Sequence, residues 1–288
     1  MKHIKYNVNV CDRVANEVII HLTKECPNNC TFCIDKRNHY KGNKAPDFDN
    51  IKNTFLTIKD EVQGVTITGG EPLLYLKQVV DLVDFIRTNS SVTITIDTSI
   101  PVSCFRHQDK FFELIDKVDY ILLSGHHYNP EIADKIRGSK SLFDREAFYR
   151  ILPNKDKFIL SLNVHKPYLC TRAEILDSIM YFNKLGFKNI KLAELFNAED
   201  MFASIDELLG IKLQNPFAQG CSNKNVDTSS FLPEFDGNLT IKKVCFLRNK
   251  KLNPNIWDFF KMLTRNIIGK KYFFGVIHPD GNIYPYWV

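Results

Sequence analysis

The sequence predicts an α/β fold, a partial (β/α)6 TIM-like barrel carrying a small C-terminal α+β extension that contains hairpins. Three observations predict it. Short β-branched runs alternate with amphipathic stretches of helical period between residues 17 and 195. The runs recur roughly every 25 to 40 residues, the spacing of parallel strands joined by helical crossovers. The alternation stops after residue 196, where turn signals take over.

The expected strands are 17–22 (EVIIHL), 64–68 (GVTIT), 92–97 (VTITID), 118–123 (VDYILL), 158–163 (FILSLN) and 189–195 (NIKLAEL). Each is short and rich in Val, Ile, Leu or Thr, the composition that suits a pleated surface. Between them, 49–60, 76–88, 108–115, 143–151 and 172–184 read as helices with one apolar face. Ligands of such a sheet sit at the C-terminal strand ends. The division expected is a barrel over residues 1–196 and an extension over 197–288. In the extension, "FDGNLTI" and "HPDGNIYPYW" place Asp-Gly between apolar residues, a strong turn signal, and a helix is expected near 254–267. Without a solenoid repeat or a low-complexity linker, the extension is expected to pack on the barrel.

With 288 residues and 44% hydrophobic content, the chain can bury a substantial core. No stretch approaches the roughly 18 uninterrupted apolar residues that cross a bilayer, and the opening MKHIKYNVNVCDRV lacks an apolar signal-peptide region. A cytoplasmic protein without a membrane partner is expected. Its eight cysteines then read as reduced thiols or metal ligands rather than as disulfides. The net charge of +5 comes from 38 basic and 33 acidic residues without a long single-sign run. That balance suits an anionic substrate as well as nucleic acid, and no basic tail or aromatic-basic stripe singles out nucleic acid.

Cys26, Cys30 and Cys33 fall on one loop directly after the first strand. Three thiolates on a four-metal cluster leave one metal free to bind a substrate. Zinc with a remote His21 or His39, or plain reduced thiols, are the alternatives. A second motif, Gly69-Gly70-Glu71-Pro72, follows the second strand. Its paired glycines let backbone approach a ligand, and Glu71-Pro72 sets a carboxylate and a carbonyl beside it.

Together, Cys26-Pro-Asn-Asn-Cys30-Thr-Phe-Cys33 and Gly69-Gly70-Glu71-Pro72 resemble the CxxxCxxC and GGEP signatures of the radical S-adenosylmethionine (SAM) superfamily. The resemblance covers roughly residues 15 to 195. It implies that the three thiolates hold a four-iron, four-sulfur cluster whose open iron takes the amino and carboxylate groups of SAM. It implies that Phe32 packs near adenine and that the GGEP segment receives the SAM ammonium. By position, Thr98, Ser99, Ser124 and Asn163 fall where the family often binds ribose and the methionine carboxylate; each could equally be a turn or cap residue. The implied chemistry is one-electron cleavage of SAM to methionine and a 5′-deoxyadenosyl radical, which abstracts a hydrogen atom from a substrate. A one-electron reductant such as flavodoxin or ferredoxin is the implied partner.

The extension resembles a reduced SPASM or Twitch domain, with Tyr286 where a cysteine is expected. Its Cys221 and Cys245 could join Cys170 or Cys104 on an auxiliary Fe-S cluster; otherwise the hairpins serve as a lid or binding platform. His126, His127 and Tyr128 could face the substrate or serve as surface or capping residues, and Cys104 or Cys170 could donate a hydrogen atom. The resemblance implies a peptide substrate, modified by epimerisation or crosslinking, with a nucleotide or sugar as the alternative. Retention of GGEP argues against a non-catalytic Fe-S or zinc module, and no segment has the size of a cobalamin domain.

Overall fold

The computed structural model describes residues 17–33, 45–195, 199–211, 222–243 and 274–284. The helix expected at 254–267, together with His39, Cys221, Cys245 and Tyr286, lies outside the described residues.

Six strands follow the predicted order: β1 (Glu17–His21), β2 (Gly64–Thr68), β3 (Thr93–Thr98), β4 (Tyr120–Ser124), β5 (Phe158–Val164) and β6 (Asn189–Glu194). They pair consecutively and in parallel, from Glu17 opposite Gly64 to Val164 opposite Glu194. The crossover helices are α1 (Phe48–Ile58), α2 (Leu76–Asn89), α3 (Val102–Arg106), α4 (Gln108–Lys117), α5 (Pro130–Arg137), α6 (Arg145–Ile151) and α7 (Arg172–Lys184). Helix α1 starts where Asp47 accepts a hydrogen bond from the Asn50 amide at 3.0 Å, and it buries Ile51, Phe55 and Ile58 on one face. At the start of α7, Thr171 and Glu174 form a reciprocal capping box.

Helix α5 is absent from the sequence-based expectation. It is only eight residues long and puts Arg137 beside Ala133 and Ile136 on its buried face, and its ends carry clear signals: Asn129 accepts from two first-turn amides, Pro130 follows, and Gly138 closes the helix at φ +62°.

After β6 come α8 (Ile205–Leu209), β7 (Ser222–Val226), β8 (Asn238–Lys243), β9 (Phe274–Ile277) and β10 (Ile283–Tyr284). These strands join the barrel sheet at both edges, giving the order β10-β9-β1-β2-β3-β4-β5-β6-β8-β7. Strand β8 runs parallel to β6 and β9 parallel to β1, while β7 and β10 form antiparallel edges. The Pro279-Asp280-Gly281 turn does join β9 to β10, with Gly281 at φ +77°. It docks on α1: the Asp47 amide donates to Pro279 O at 2.7 Å, Asn50 Nδ2 to Asp280 O at 2.5 Å, and Thr54 Oγ1 to Gly281 O at 2.5 Å. The expected tight turn at Asp236-Gly237 is corrected. Residues 227–237 connect β7 to β8, and Gly237 instead packs against the Lys188 carbonyl, which a Cβ would meet at 2.3 Å.

One face of the barrel strands packs on the helices and the other is partly accessible. Val65, Ile67, Ile94, Ile96, Leu160 and Leu162 are fully or almost fully buried in the main apolar core. The residues between them, including Thr66, Thr68, Asp97, Ser161 and Asn163, remain partly accessible. A parallel sheet covered on both faces would bury both sets. Here the inner face is partly accessible and mixed: Ile19, Leu122 and Ile159 share it with polar side chains, of which Thr66 donates to Glu17 at 2.5 Å and Thr68 to Asp97 at 3.4 Å.

Candidate active site

Strand β1 delivers the chain directly into the cysteine loop. The Leu22 amide still donates to Thr68 O at 2.8 Å, and Thr23 Oγ1 then accepts from the Glu25 amide at 3.1 Å, turning the chain away from the sheet. Further on, the Cys33 amide donates to Cys30 O at 3.1 Å and the Asn29 amide to Arg137 O at 2.6 Å, so the loop leans on the end of α5. The three thiols are all half-buried and none is in a disulfide. Burial pushes the Cys26 thiol up to about 12, against the pull of the Asn28 amide; Glu71, Cys30 and Cys33 add to the rise.

Burial beside Glu71 thus keeps the Cys26 thiol protonated until a cation draws off its proton. Among the described residues, no three His, Cys, Asp or Glu side chains are arranged to hold a single metal ion. Three thiols spread along one loop, with no fourth protein ligand among the described residues, fit a polynuclear iron–sulfur cluster with an open metal.

The GGEP segment lies against this loop. Gly70 N donates to Thr23 O at 2.6 Å and Glu71 N to Glu25 O at 2.8 Å. Gly69 adopts φ +138°, and a Cβ on Gly70 would lie 2.2 Å from Glu25 O. The close approach these glycines permit is thus to the cysteine loop's own backbone.

Glu71 turns inward and is almost wholly buried. Its carboxylate accepts from the Leu73 amide at 3.2 Å, Thr98 Oγ1 at 2.7 Å, the Ser99 amide at 2.8 Å and Ser99 Oγ at 2.7 Å. Burial pushes this carboxyl above the ordinary range, and the donors from Thr98, Ser99 and Leu73 pull it back. Pro72 opens a short 3-10 turn, Pro72–Tyr75, that Glu71 caps. Thr98 and Ser99 are therefore engaged with Glu71, whereas Ser124 and Asn163 stand half-buried near the C-terminal ends of β4 and β5.

Phe32 reaches across to the ends of β4, β5 and β6. Its ring lies 6.2 Å from that of His126 and 5.0 Å from that of His165, and it packs with Leu195 and Met201. His165 Nδ1 sits 3.1 Å from Lys166 O; a carbonyl only accepts, so Nδ1 carries the proton and Nε2 is left as an acceptor. In His127 the order reverses, because Nδ1 accepts from the Asn129 amide at 3.0 Å. The Nε2 atoms of His126, His127 and His165 are buried and have no hydrogen-bond partner among the described residues. Burial holds all three imidazoles below their ordinary pKa. Tyr128 stacks on His127, with ring centroids 4.6 Å apart.

Sequence reasoning missed Asn28, Arg137, Arg145 and His165. Arg137 is buried and ion-paired to Asp134, and its Nε has no partner among the described residues. Arg145 donates to Ser99 O at 2.7 Å and covers the Phe143 ring. The signal for Arg137 was its place before the helix-closing Gly138; His165 carried none. Cys104 is fully buried and Cys170 half-buried.

Comparison with known proteins agrees with this geometry. Residues 20–194 match the sequence profile of the Radical SAM superfamily. An uncharacterized protein of Methanocaldococcus jannaschii is 29% identical over 132 residues, 44% of this chain and 45% of that protein. A putative L-lysine 2,3-aminomutase of Aquifex aeolicus is 29% identical over 124 residues, 41% of this chain and 34% of that protein. The chain thus spans less than half the length of these relatives. In fold it is similar to anSMEcpe, solved with AdoMet and a Cp18Cys peptide, at TM-score 0.58 and 15% identity, over 94% of this chain and 73% of that one. With the profile running from β1 through β6 and the cysteine loop and GGEP segment inside it, the chain belongs to the radical SAM superfamily.

Proposed function

We propose that this enzyme abstracts a hydrogen atom from a polar residue of a peptide held against the inner face of the barrel, as a step in modifying that peptide. The observation that carries the proposal is the partly accessible polar patch on the inner face, where Thr68, Asp97, Ser161 and Asn163 alternate with buried core residues. Such a patch hydrogen-bonds a polar group, while Ile19, Leu122 and Ile159 on the same face give it apolar contact.

Cys26, Cys30 and Cys33 would hold three irons, and the backbone around Gly69–Glu71 would receive the SAM ammonium. The Nε–H of Arg137, without a partner among the described residues, suits a carboxylate. When bound, cluster and SAM supply one-electron cleavage of the sulfonium and hydrogen-atom abstraction. Phe32, Leu195 and Met201 keep water from that side of the mouth. Among the described residues no helix is long and apolar enough to cross a membrane. The free described cysteines and the need for a one-electron donor such as flavodoxin or ferredoxin support a cytoplasmic setting.

Two finer readings accompany this one. The hydroxyl-rich lining also suits a nucleotide or sugar. The other is a SPASM/Twitch-like extension after residue 196 with an auxiliary cluster on Cys221 and Cys245, both of which lie outside the described residues. An iron and sulfide count on the Cys26/Cys30/Cys33→Ala variant tests the cluster; complete loss of iron removes the auxiliary site. For the substrate, 5′-deoxyadenosine formation by the reduced enzyme is measured with peptide libraries and with nucleoside and sugar panels. Stimulation by peptides alone supports the leading reading, and stimulation by nucleosides or sugars alone replaces it.

A further inference from the structure

A buried chain of hydrogen bonds joins the cysteine loop to the GGEP carboxylate, and nothing in the three-thiol motif requires it. Asn28, between Cys26 and Cys30, is 8% exposed. Its Nδ2 donates to Ser99 Oγ at 2.8 Å, and its Oδ1 accepts from Ser139 Oγ at 2.9 Å. Ser99 Oγ, having accepted from Asn28, spends its one proton on Glu71 Oε2 at 2.7 Å. The second Glu71 oxygen is held by Thr98 Oγ1 at 2.7 Å, and the Glu71 amide donates back to Glu25 O at 2.8 Å.

We infer that Asn28 is a positioning residue that couples the cluster loop to the SAM-binding segment through Ser99 and Glu71. The inference rests on the proposed cluster and SAM sites and adds to them how one senses the other. The hydrogen-bond directions are fixed along the whole chain: amide to hydroxyl, hydroxyl to carboxylate. In a buried setting such a chain has few alternative arrangements, because each group that loses its partner is left unsatisfied. A shift of the Gly69–Glu71 backbone on binding SAM therefore moves Ser99 and, through it, Asn28 and the flanking Cys26 and Cys30. The same chain holds the GGEP backbone in register with the loop before SAM arrives.

The test uses the full chain, reconstituted anaerobically, as wild type, Asn28→Ala, Ser99→Ala and the double variant. Iron and sulfide are counted, SAM affinity is measured by equilibrium binding, and the EPR spectrum of the reduced cluster is recorded with and without SAM. Each single variant is expected to keep its iron, to bind SAM about tenfold more weakly, and to lose most of the SAM-induced spectral change. The double variant is expected to be no weaker than the weaker single one, since one chain is cut twice. SAM affinity within about twofold of wild type, or losses that add in the double variant, would overturn the inference. If Asn28→Ala fails to load iron, Ser99→Ala decides alone, because it leaves every loop side chain in place: wild-type SAM affinity at full iron content refutes the coupling. A wild-type chain that binds neither iron nor SAM refutes the cluster and SAM sites themselves, a separate result.

Discussion

The amide of Asn28 donates to the hydroxyl of Ser99 at 2.8 Å across 71 residues of sequence, joining the loop after β1 to the end of β3. Both residues lie beside motifs whose side chains draw the eye first. The cysteines stay half-buried and available, while Glu71, prominent in its motif, spends its carboxylate on Thr98, Ser99 and Leu73.

Glu71→Ala is therefore expected to destabilise the fold and not merely the site. It strands buried donors from Thr98 and Ser99, and each lost partner costs about 1–3 kcal/mol. Thermal or denaturant unfolding should show a loss of several kcal/mol, roughly the sum of three such penalties, one for each donor from Thr98 and Ser99. Glu71→Gln, which keeps one acceptor oxygen, should lose less. Equal stability of Glu71→Ala and wild type would contradict the network.

Gly70→Ala places a Cβ 2.2 Å from Glu25 O, a backbone atom that no rotamer change can move aside. The cysteine loop must shift, so reconstitution of Gly70→Ala should yield a substoichiometric cluster. Gly64→Ala serves as the control, since its Cβ would meet nothing closer than 3.7 Å. Full iron in both variants would show that the loop tolerates displacement.

Stability should fall on mild acidification. His126, His127 and His165 are held below their ordinary pKa chiefly by burial; Arg137, Arg145 and His165 add to this at His126, while Glu174 and Asp177 oppose it at His127. The unfolded chain therefore binds more protons than the folded one. The stability these groups contribute is present above the ordinary histidine pKa of about 6.5 and is lost as pH drops below it, by up to about 1.4 kcal/mol per pH unit for each histidine. Unfolding midpoints between pH 8 and 5, on the order of the histidine range, check this. His127→Gln should flatten the profile, and an unchanged slope would show that His127 does not titrate with folding.

Native Cys104 should resist alkylation while Cys170 reacts. Burial of the Cys104 thiol, with the nearby Glu71 charge, raises its pKa well above the ordinary value, and no solvent reaches it. Cys170 is half-exposed. Mass-spectrometric mapping after brief iodoacetamide treatment distinguishes them, and native labelling of Cys104 would show that the core opens there.

The barrel was legible because each strand carries a compact β-branched run and each long helix an apolar face. Strand β2 begins and ends at the expected residues, and the other five shift by one or two. Helix α5 escaped because it is only eight residues long and its buried face includes the charged Arg137; the end signals, Asn129-Pro130 and Gly138, mark it. The addition of β8 and β9 to the two barrel edges was not legible, since pairing partners of edge strands leave no local trace. In the site, the cysteine loop and GGEP stood out by spacing and position after β1 and β2, and their roles came from the resemblance to the radical SAM signatures. The inward turn of Glu71 and the orphaned Nε2 of His165 depend on residues far apart in sequence, which no short motif encodes.

The most direct test of the central claim is anaerobic reduction of the reconstituted chain with dithionite in the presence of SAM, followed by chromatography for 5′-deoxyadenosine and methionine. Wild type should form both products in equal amounts, and the Cys26/Cys30/Cys33→Ala variant should form neither. Absence of both from an iron-loaded wild type, or their formation by the triple variant, would contradict it.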